Sequence, residues 1–157
     1  MRVGIGYDIH ALVKGRPLIL GGVRISHPKG LSGHSDGDVL IHAIVDALLG
    51  ASGQGDIGDH FSSQDPRYQG ADSLLFVRKV REILKRRRFK IVHVDSVVLA
   101  EAPKLGPYKE KIRMSVAASL GVPASRVSVK AKTQEGFGAV GKKQAIACYA
   151  VVSLEEK

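Results

Sequence analysis

Two hydrophobic periods occur along this chain, and they do not follow one another in strict alternation. In residues 2–13 every second side chain is apolar, which is the period of a strand with one face on a core. Residues 35–50 carry apolar side chains three and four positions apart, the spacing of an amphipathic helix. Because the two kinds of segment mix without regular βαβ order or internal repeats, we predict one α+β domain over residues 1–157. Its sheet is predicted to be mixed or antiparallel, with four to five strands and the helices on one face.

The other strands are interpreted by the same rules. Strands are predicted over residues 90–100, 126–133 and 144–154, and a hairpin over residues 15–25. The hairpin is predicted to turn at Gly21 and Gly22. Residues 51–70 are rich in Gly, Asp and Ser, and we interpret them as a long loop of the kind that is often functional.

Two further helices and their ends can be predicted. These helices are predicted over residues 71–87 and 103–121. The second has Pro107 in its first turn and Gly121 at its end, where each is favoured. For the first helix of the chain, Ser35 and Asp38 have the spacing of a capping box, and Gly50 is a plausible stop.

The charge of the chain favours anionic partners. Lys and Arg number 24 against 15 Asp and Glu, for a net charge of +9. The densest basic block, residues 85–90, has an ordinary explanation, since cations at a helix C-terminus oppose the negative end of its dipole. Aromatic residues make up 5% and are not interleaved with the basic ones, which argues against a base-stacking RNA platform.

The single cysteine, Cys148, lies in an apolar segment, so it is not favoured as a nucleophile. One cysteine forms no intrachain disulfide, and we predict a cytoplasmic protein. No apolar run of about 18 residues exists, so we expect no membrane span. The N-terminus lacks the basic and apolar regions of a signal peptide.

A possible metal site arises from Asp8, His10 and His42. Asp8 and His10 are predicted to share one strand face, while Tyr7 and Ile9 point the other way. Two imidazoles and a carboxylate can hold a catalytic zinc ion with one position open. The alternative is that Asp8 and His10 are surface residues and that His42 is an ordinary half-buried histidine.

The helix that carries His42 is predicted to have a polar stripe. Asp38, His42 and Asp46 are spaced four residues apart, which would place them on one side, opposite the apolar face. Asp46 either steadies the metal site from one turn behind His42 or is a charge on the helix surface.

Two more clusters suit phosphate chemistry. His34 and Ser35 precede a helix N-terminus, where anions are favoured, although simple capping is an alternative. Lys130 and Lys132 alternate on one strand face and are followed by Thr133 and Glu135. That set suits a phosphate-bound Mg²⁺ ion, or it is a charged turn. P-loop, nucleophile-elbow and H-E-x-x-H patterns are absent from the sequence.

Five blocks between Arg2 and about Val152 together carry a family resemblance. In order they are "RVGIGYDIH", "GHSDGDVLIHAIVDALLG", "GDIG..F...DP.YQGADS", "AEAPKLGP" and "KAKTQEGFG". They resemble the 2-C-methyl-D-erythritol 2,4-cyclodiphosphate synthases of the non-mevalonate isoprenoid pathway. The resemblance implies a lyase that forms CMP and a cyclic diphosphate from 4-diphosphocytidyl-2-C-methyl-D-erythritol 2-phosphate. It also implies that no protein nucleophile is needed.

The resemblance implies two metals. Asp8, His10 and His42 would hold one zinc ion per subunit, with a phosphate oxygen as the fourth ligand. Glu135 would hold Mg²⁺ or Mn²⁺ at the α- and β-phosphates, and Thr133 would act beside it.

The resemblance also implies substrate contacts. His34 and Ser35 would contact the 2-phosphate and methylerythritol, whereas Asp56, Ile57, Gly58 and Phe61 would form the sugar pocket. The cytosine pocket would comprise Ala100, Lys104, Leu105 and Gly106, and the CDP phosphates would be bound by Ala131, Lys132 and Thr133. The family is a homotrimer, so residues 100–106 and 131–135 would come from the subunit next to the one that supplies zinc.

Three positions depart from the family pattern. Ser63 replaces an aspartate that bonds the methylerythritol hydroxyls, and serine is shorter and neutral. Lys132 stands where threonine is common. Lys142 stands where arginine is common, and lysine lacks the bidentate fork.

Two other functions remain open at this point. A zinc-dependent phosphoesterase could use the same metal to activate water, although it would not need the cytosine segment. A basic nucleic-acid-binding protein would explain the charge but leave Asp8, His10, His42 and Glu135 without a role. We therefore expect a small-molecule substrate and no nucleic acid or membrane partner.

Overall fold

A five-stranded sheet organises the computed structural model, which describes residues 1–156. The seven strands are β1 (Arg2–Lys14), β2 (Leu18–Leu20), β3 (Val23–Ile25), β4 (Lys29–Leu31), β5 (Phe89–Leu99), β6 (Val127–Lys132) and β7 (Ala145–Glu156). The large sheet has the order β4-β1-β7-β5-β6. Among the strands of residues 1–156, only β5 and β6 pair in parallel, and the other neighbours in this sheet are antiparallel. The prediction of an α+β fold with a mixed sheet of four to five strands is confirmed.

The predicted hairpin is also present, since β2 and β3 form a separate two-stranded sheet. Gly21 and Gly22 make its turn with φ of 59° and 74°, a conformation that glycine adopts without strain. Strand β4 was not predicted. It is only three residues long, within a segment that reads as loop, and its pairing with β1 forms it.

Three long helices pack against the same face of the sheet. The three long helices are α1 (Val39–Ala51), α3 (Leu74–Arg86) and α4 (Lys109–Leu120), and α2 (Ile57–His60) and α5 (Gly138–Gly141) are short helices of four residues each. Helix α1 lies on β1 and β7, α3 contacts β5, and α4 contacts β6. Lys85 and Arg86 occupy the last turn of α3, as expected for cations at that end.

Three details of the helix predictions were wrong. Asp38, rather than Ser35, is the N-cap of α1, and its side chain accepts a hydrogen bond from the Ile41 amide. Pro107 lies in a 3₁₀ turn, Gly106–Tyr108, and α4 begins only after this turn, at Lys109. The predicted loop at 51–70 contains α2 and a second 3₁₀ turn. Gly121 does cap α4, with φ of 68°.

Glycines in β1 allow α1 to approach the strand at backbone distance. A Cβ atom on Gly4 would lie 2.1 Å from the Ala47 carbonyl oxygen, and one on Gly6 would lie 1.9 Å from that of Ala43. Both are shorter than any real Cβ contact, so side chains are not tolerated there. His42 directly precedes Ala43, so this contact holds His42 above β1.

The opposite face of β1 carries apolar side chains that the helices do not cover. Val3 is 64% exposed and Ile5 is 69% exposed, and Tyr7 and Ile9 continue the row. Neighbouring β7 adds Tyr149, whose ring centroid lies 4.6 Å from that of Tyr7. An exposed apolar patch of this kind marks an interaction surface.

Within residues 1–156, no helix combines the length and the apolar character that crossing a membrane requires.

Candidate metal centre and substrate pocket

Asp8, His10 and His42 meet at the junction of β1 and α1. His10 Nε2 lies 2.7 Å from Asp8 Oδ2. His42 Nδ1 lies 3.0 Å from the same oxygen and 3.2 Å from His10 Nε2. The structure therefore brings the three predicted ligands together, and they form a group that could hold a metal ion.

The donor set and its spacing fit zinc. Tetrahedral bonds of about 2.0–2.1 Å place ligand atoms about 3.3 Å apart. The observed separations of 2.7, 3.0 and 3.2 Å are shorter than this by at most about 0.6 Å. Two nitrogens and one oxygen leave a fourth tetrahedral position open.

The electrostatics keep the carboxylate available as a ligand. Burial alone would raise the pKa of Asp8, but hydrogen bonds and charge from His10 and His42 hold that pKa well below its usual range. Burial would lower the pKa of His10, yet its hydrogen bond to Asp8 raises it overall. Protons therefore compete with a metal ion at His10 as the pH falls.

The second ring nitrogen of His42 is also occupied. His42 Nε2 lies 3.0 Å from Ser35 Oγ and 3.0 Å from Ser73 Oγ. Ser73 was not predicted as a site residue, because its separation from His42 in sequence gives no signal. Its hydroxyl in turn donates to Asp36 Oδ1.

The predicted polar stripe of α1 is correct for His42 and Asp46 and wrong for Asp38. Asp38 is fully buried and accepts hydrogen bonds from the amides of Gly21 and Gly22 as well as of Ile41. Burial raises its pKa to about 6, although these bonds oppose the shift. Asp38 thus joins the hairpin to α1 and does not face the site.

Asp46 holds the segment that follows α1. Its Oδ1 accepts a hydrogen bond of 2.8 Å from the Ile57 amide, and burial raises its pKa. Asp46, which lies one turn after His42 in α1, therefore fixes the start of α2.

A cavity of about 270 Å³ opens directly onto the three-ligand group. Its lining comprises Asp8, His10, His34, Ser35, His42, Asp46, Ile57, Gly58, Phe61, Ser63, Tyr68 and Phe76. The predicted residues His34, Ser35, Ile57, Gly58 and Phe61 are among them. Asp56 caps α2 and accepts from the Asp59 amide instead.

The cavity has an aromatic wall, of which the sequence predicted Phe61 but missed Tyr68 and Phe76. Phe61 stacks on Phe76 at a centroid distance of 4.7 Å, and Tyr68 meets both edge-on at 5.6 Å. Phe76 has the spacing of a core residue of α3, and only its tertiary contacts show that it also lines the cavity.

The loop with His34 and Ser35 is fixed from two sides. Arg16 donates to the carbonyl oxygens of Gly33 at 2.8 Å and Ser35 at 2.5 Å. The His34 ring nitrogen Nε2 lies 3.1 Å from the Asp65 carbonyl oxygen. Arg16 was not predicted, since nothing in the sequence links it to this loop.

A second cavity, of about 230 Å³, gathers the residues expected at cytidine and its phosphates. The predicted members that line it are Ala100, Lys104, Leu105, Gly106, Ala131, Lys132 and Thr133. It shares no lining residue with the first cavity. Within a single chain, the cavity at the metal ligands and the cavity expected to bind CDP are therefore separate.

Glu135 and Lys142 lie on the surface beyond β6. Glu135 has φ of 50° and accepts a hydrogen bond of 3.0 Å from the Thr133 hydroxyl. Lys142 is exposed immediately after α5. Cys148 is buried, and burial raises the pKa of its thiol, which agrees with the expectation that it is not a nucleophile.

Comparisons with known proteins cover nearly the whole chain. The model of the YgbB family matches residues 1–155. A protein of Gloeobacter violaceus named 2-C-methyl-D-erythritol 2,4-cyclodiphosphate synthase is 56% identical over 156 residues, which are 99% of this chain and 96% of that protein.

Solved structures show the same fold. The bifunctional IspDF of Campylobacter jejuni superposes with a TM-score of 0.96 at 36% identity, over 99% of this chain and 42% of that one. The Plasmodium falciparum IspF–CDP complex has a TM-score of 0.87 and 37% identity, over 99% and 96% of the two chains.

Proposed function

The chain belongs to the YgbB family and is a cyclodiphosphate synthase of the non-mevalonate isoprenoid pathway, and from this membership we propose its reaction and the roles of its residues. In this reaction an oxygen of the 2-phosphate of 4-diphosphocytidyl-2-C-methyl-D-erythritol 2-phosphate attacks the β-phosphorus. The bond from the β-phosphorus to the bridging oxygen breaks, and CMP leaves with that oxygen. Residues 1–157 act as one synthase domain.

The observation that carries this proposal is the three-ligand group in the lining of a cavity of about 270 Å³. Asp8, His10 and His42 hold one zinc ion per subunit, in keeping with their spacing and donor types. Zinc supplies Lewis acidity and positive charge to a phosphate of the substrate. His34 and Ser35, which line the same cavity, bind the 2-phosphate and the methylerythritol next to it.

The aromatic wall favours cyclisation over hydrolysis. Phe61, Tyr68 and Phe76 form an apolar wall beside the metal ligands, and a substrate bound against it displaces water, so that the attacking oxygen comes from the substrate itself. Positioning supplies most of the acceleration, because loose phosphoryl transfer needs little covalent help from a protein. Ile57 and Gly58, which line the cavity, and Asp56 immediately before them bind the sugar.

The second cavity holds the leaving group. Ala100, Lys104, Leu105 and Gly106 surround cytosine, while Ala131, Lys132 and Thr133 bind the CDP phosphates. Lys142 adds a point charge to that end.

Glu135 and Thr133 suit a hard cation. The Glu135 carboxylate and the Thr133 hydroxyl lie within one hydrogen bond of each other, and both offer the oxygen ligands that Mg²⁺ and Mn²⁺ prefer. A cation held by Glu135 and Thr133 would supply positive charge beside the departing CMP.

We also propose a homotrimer with each site between neighbours. Two observations support this assembly: the two cavities share no residue within one chain, and the outer face of β1 and β7 is apolar and exposed. A C₃ ring buries such a face on every subunit. The single buried thiol is compatible with a reducing cytoplasm.

Product analysis tests the reaction. The protein is incubated with the diphosphocytidyl substrate, zinc and Mg²⁺, and the products are followed by phosphorus NMR. We expect CMP and a cyclic diphosphate in equal amounts. Inorganic phosphate without a cyclic product would instead show a phosphoesterase and contradict the proposal.

A further inference from the structure

Asp36, Ser73 and His42 form an unbroken row of hydrogen bonds that ends at the metal-ligand group. Ser73 is fully buried at the N-cap of α3. Its hydroxyl oxygen lies 2.5 Å from Asp36 Oδ1, and its amide donates to Asp36 Oδ2 at 3.0 Å. On its other side the same hydroxyl oxygen lies 3.0 Å from His42 Nε2.

The chemistry of these groups sets the direction of each bond. A carboxylate only accepts, and Asp36 accepts from the amides of Ser73 and Asp38. The Ser73 hydroxyl therefore donates to Asp36, which leaves its lone pairs to accept from His42 Nε2–H. With its proton on Nε2, the His42 ring presents the lone pair of Nδ1 to Asp8 and His10.

We propose that Asp36 and Ser73 are positioning residues that fix the tautomer and ring orientation of His42 before a metal ion binds. This inference rests on the proposed function, since it assigns Nδ1 of His42 as the metal-binding atom. Histidine ligands commonly donate their other N–H to an orienting partner, and loss of that partner weakens metal binding about 10–100-fold. Here the partner is a hydroxyl whose own direction a carboxylate fixes.

Ser35 does not replace this pair. Its Oγ also lies 3.0 Å from His42 Nε2, but its other partners are the Ser73 hydroxyl and the Gly37 amide at 3.3 and 3.4 Å. No carboxylate fixes its proton, so it can donate to the ring as readily as accept. Ser35 alone would therefore allow both tautomers of His42.

The test measures zinc affinity and the tautomer separately. Zinc affinity is measured by competition with a chromophoric chelator for the parent, Ser73→Ala and Asp36→Asn. Ser52→Ala removes another buried serine hydroxyl, at the end of α1, and is the matched control. We expect about 10–100-fold weaker zinc binding in the first two variants and parental affinity in the control.

The tautomer is read in the metal-free protein by long-range ¹H–¹⁵N NMR of His42. The parent should carry its proton on Nε2, and Ser73→Ala should show a mixture. Zinc affinities equal to the parent, or a metal-free parent protonated on Nδ1, would overturn the inference. A parent that binds no zinc would instead contradict the proposed metal site, while the tautomer measurement would still decide the role of Asp36 and Ser73.

Discussion

Gly6 of β1 lies against the backbone of Ala43 in α1, so closely that a Cβ atom on Gly6 would be 1.9 Å from the Ala43 carbonyl oxygen. His42 is the residue before Ala43, and Asp8 and His10 follow Gly6 on the same strand face. The contact between strand and helix therefore sets the distance between the two elements that supply the metal ligands.

Gly6→Ala should damage both the fold and the metal site. We expect a loss of about 1–3 kcal/mol in the free energy of unfolding from overpacking, with weaker zinc binding because α1 is pushed away from Asp8. Denaturant unfolding and zinc content measure the two effects. Gly50→Ala, in α1, is the control, since nothing lies within 4 Å of its added Cβ. It should stabilise by about 0.5–1 kcal/mol; equal losses in both variants would contradict the packing argument.

His42→Ala should remove zinc and activity but leave the fold. The change deletes one of three ligands and creates no large void, because the ring lies at the cavity wall. We expect activity to fall by more than about a hundredfold and elemental analysis to show less than one zinc ion per chain. His93→Ala, on the exposed side of β5, should retain both. Parental zinc content in His42→Ala would refute the ligand assignment.

Two inactive variants should restore activity when they assemble together. His42→Ala damages the zinc half of a site and Glu135→Gln damages the magnesium half. In randomly mixed trimers from equal amounts, about one site in four unites two intact halves. Refolding the two variants together should therefore recover about a quarter of the parental activity, whereas separately refolded samples combined afterwards should recover less. No recovery after joint refolding would show that both halves come from one chain.

Arg16→Gln should loosen the loop that carries His34 and Ser35. Glutamine cannot reach both the Gly33 and Ser35 carbonyl oxygens that the guanidinium joins. We expect a higher KM with unchanged zinc content, because the metal ligands lie on β1 and α1. Steady-state kinetics compare it with Arg24→Gln on β3, which should behave as the parent. A parental KM would show that the loop keeps its shape without Arg16.

The buried carboxyl of Asp38 should make stability depend on pH. Its pKa is raised from 3.8 to about 6 in the folded state, so between about pH 4 and pH 6 the folded protein holds a proton that the unfolded chain has released. The contribution of Asp38 is therefore fully present below about pH 4 and is lost as the pH rises through 6, by an amount on the order of 3 kcal/mol. Between pH 4 and pH 7 the parent should lose about 3 kcal/mol of unfolding free energy relative to Asp38→Asn, because the asparagine amide stays neutral at both pH values. Parallel pH dependences would show that Asp38 does not titrate in this range.

Local sequence patterns predicted most strands and helices and brought Asp8, His10 and His42 forward as candidate metal ligands. They could not predict contacts between segments that are distant in the sequence. The alternation of β1 put Asp8 and His10 on one face, and the helical period put His42 on a polar stripe. Neither pattern could show that Asp38, at the end of that stripe, is buried beneath the hairpin. Its environment comes from Gly21 and Gly22, which are remote in sequence.

The same limit explains the residues that were missed. Ser73 and Phe76 belong to α3, and they reach His42 and Phe61 only because α3 packs beside α1. In the sequence they read as a helix start and a core position. The three-residue strand β4 likewise exists through its partner β1 rather than through its own composition.

Because side chains alternate between the two faces of β1, deletion of a single residue would exchange these faces. Loss of Ala11 would shift residues 1–10 by one position and turn every side chain to the other face. Tyr7 and Ile9 would then occupy the places of Asp8 and His10, and Ile5 would meet Ala43 where only glycine fits. The same stretch of chain therefore carries the metal ligands on one face and the exposed apolar row on the other, and the deletion of one residue displaces both together.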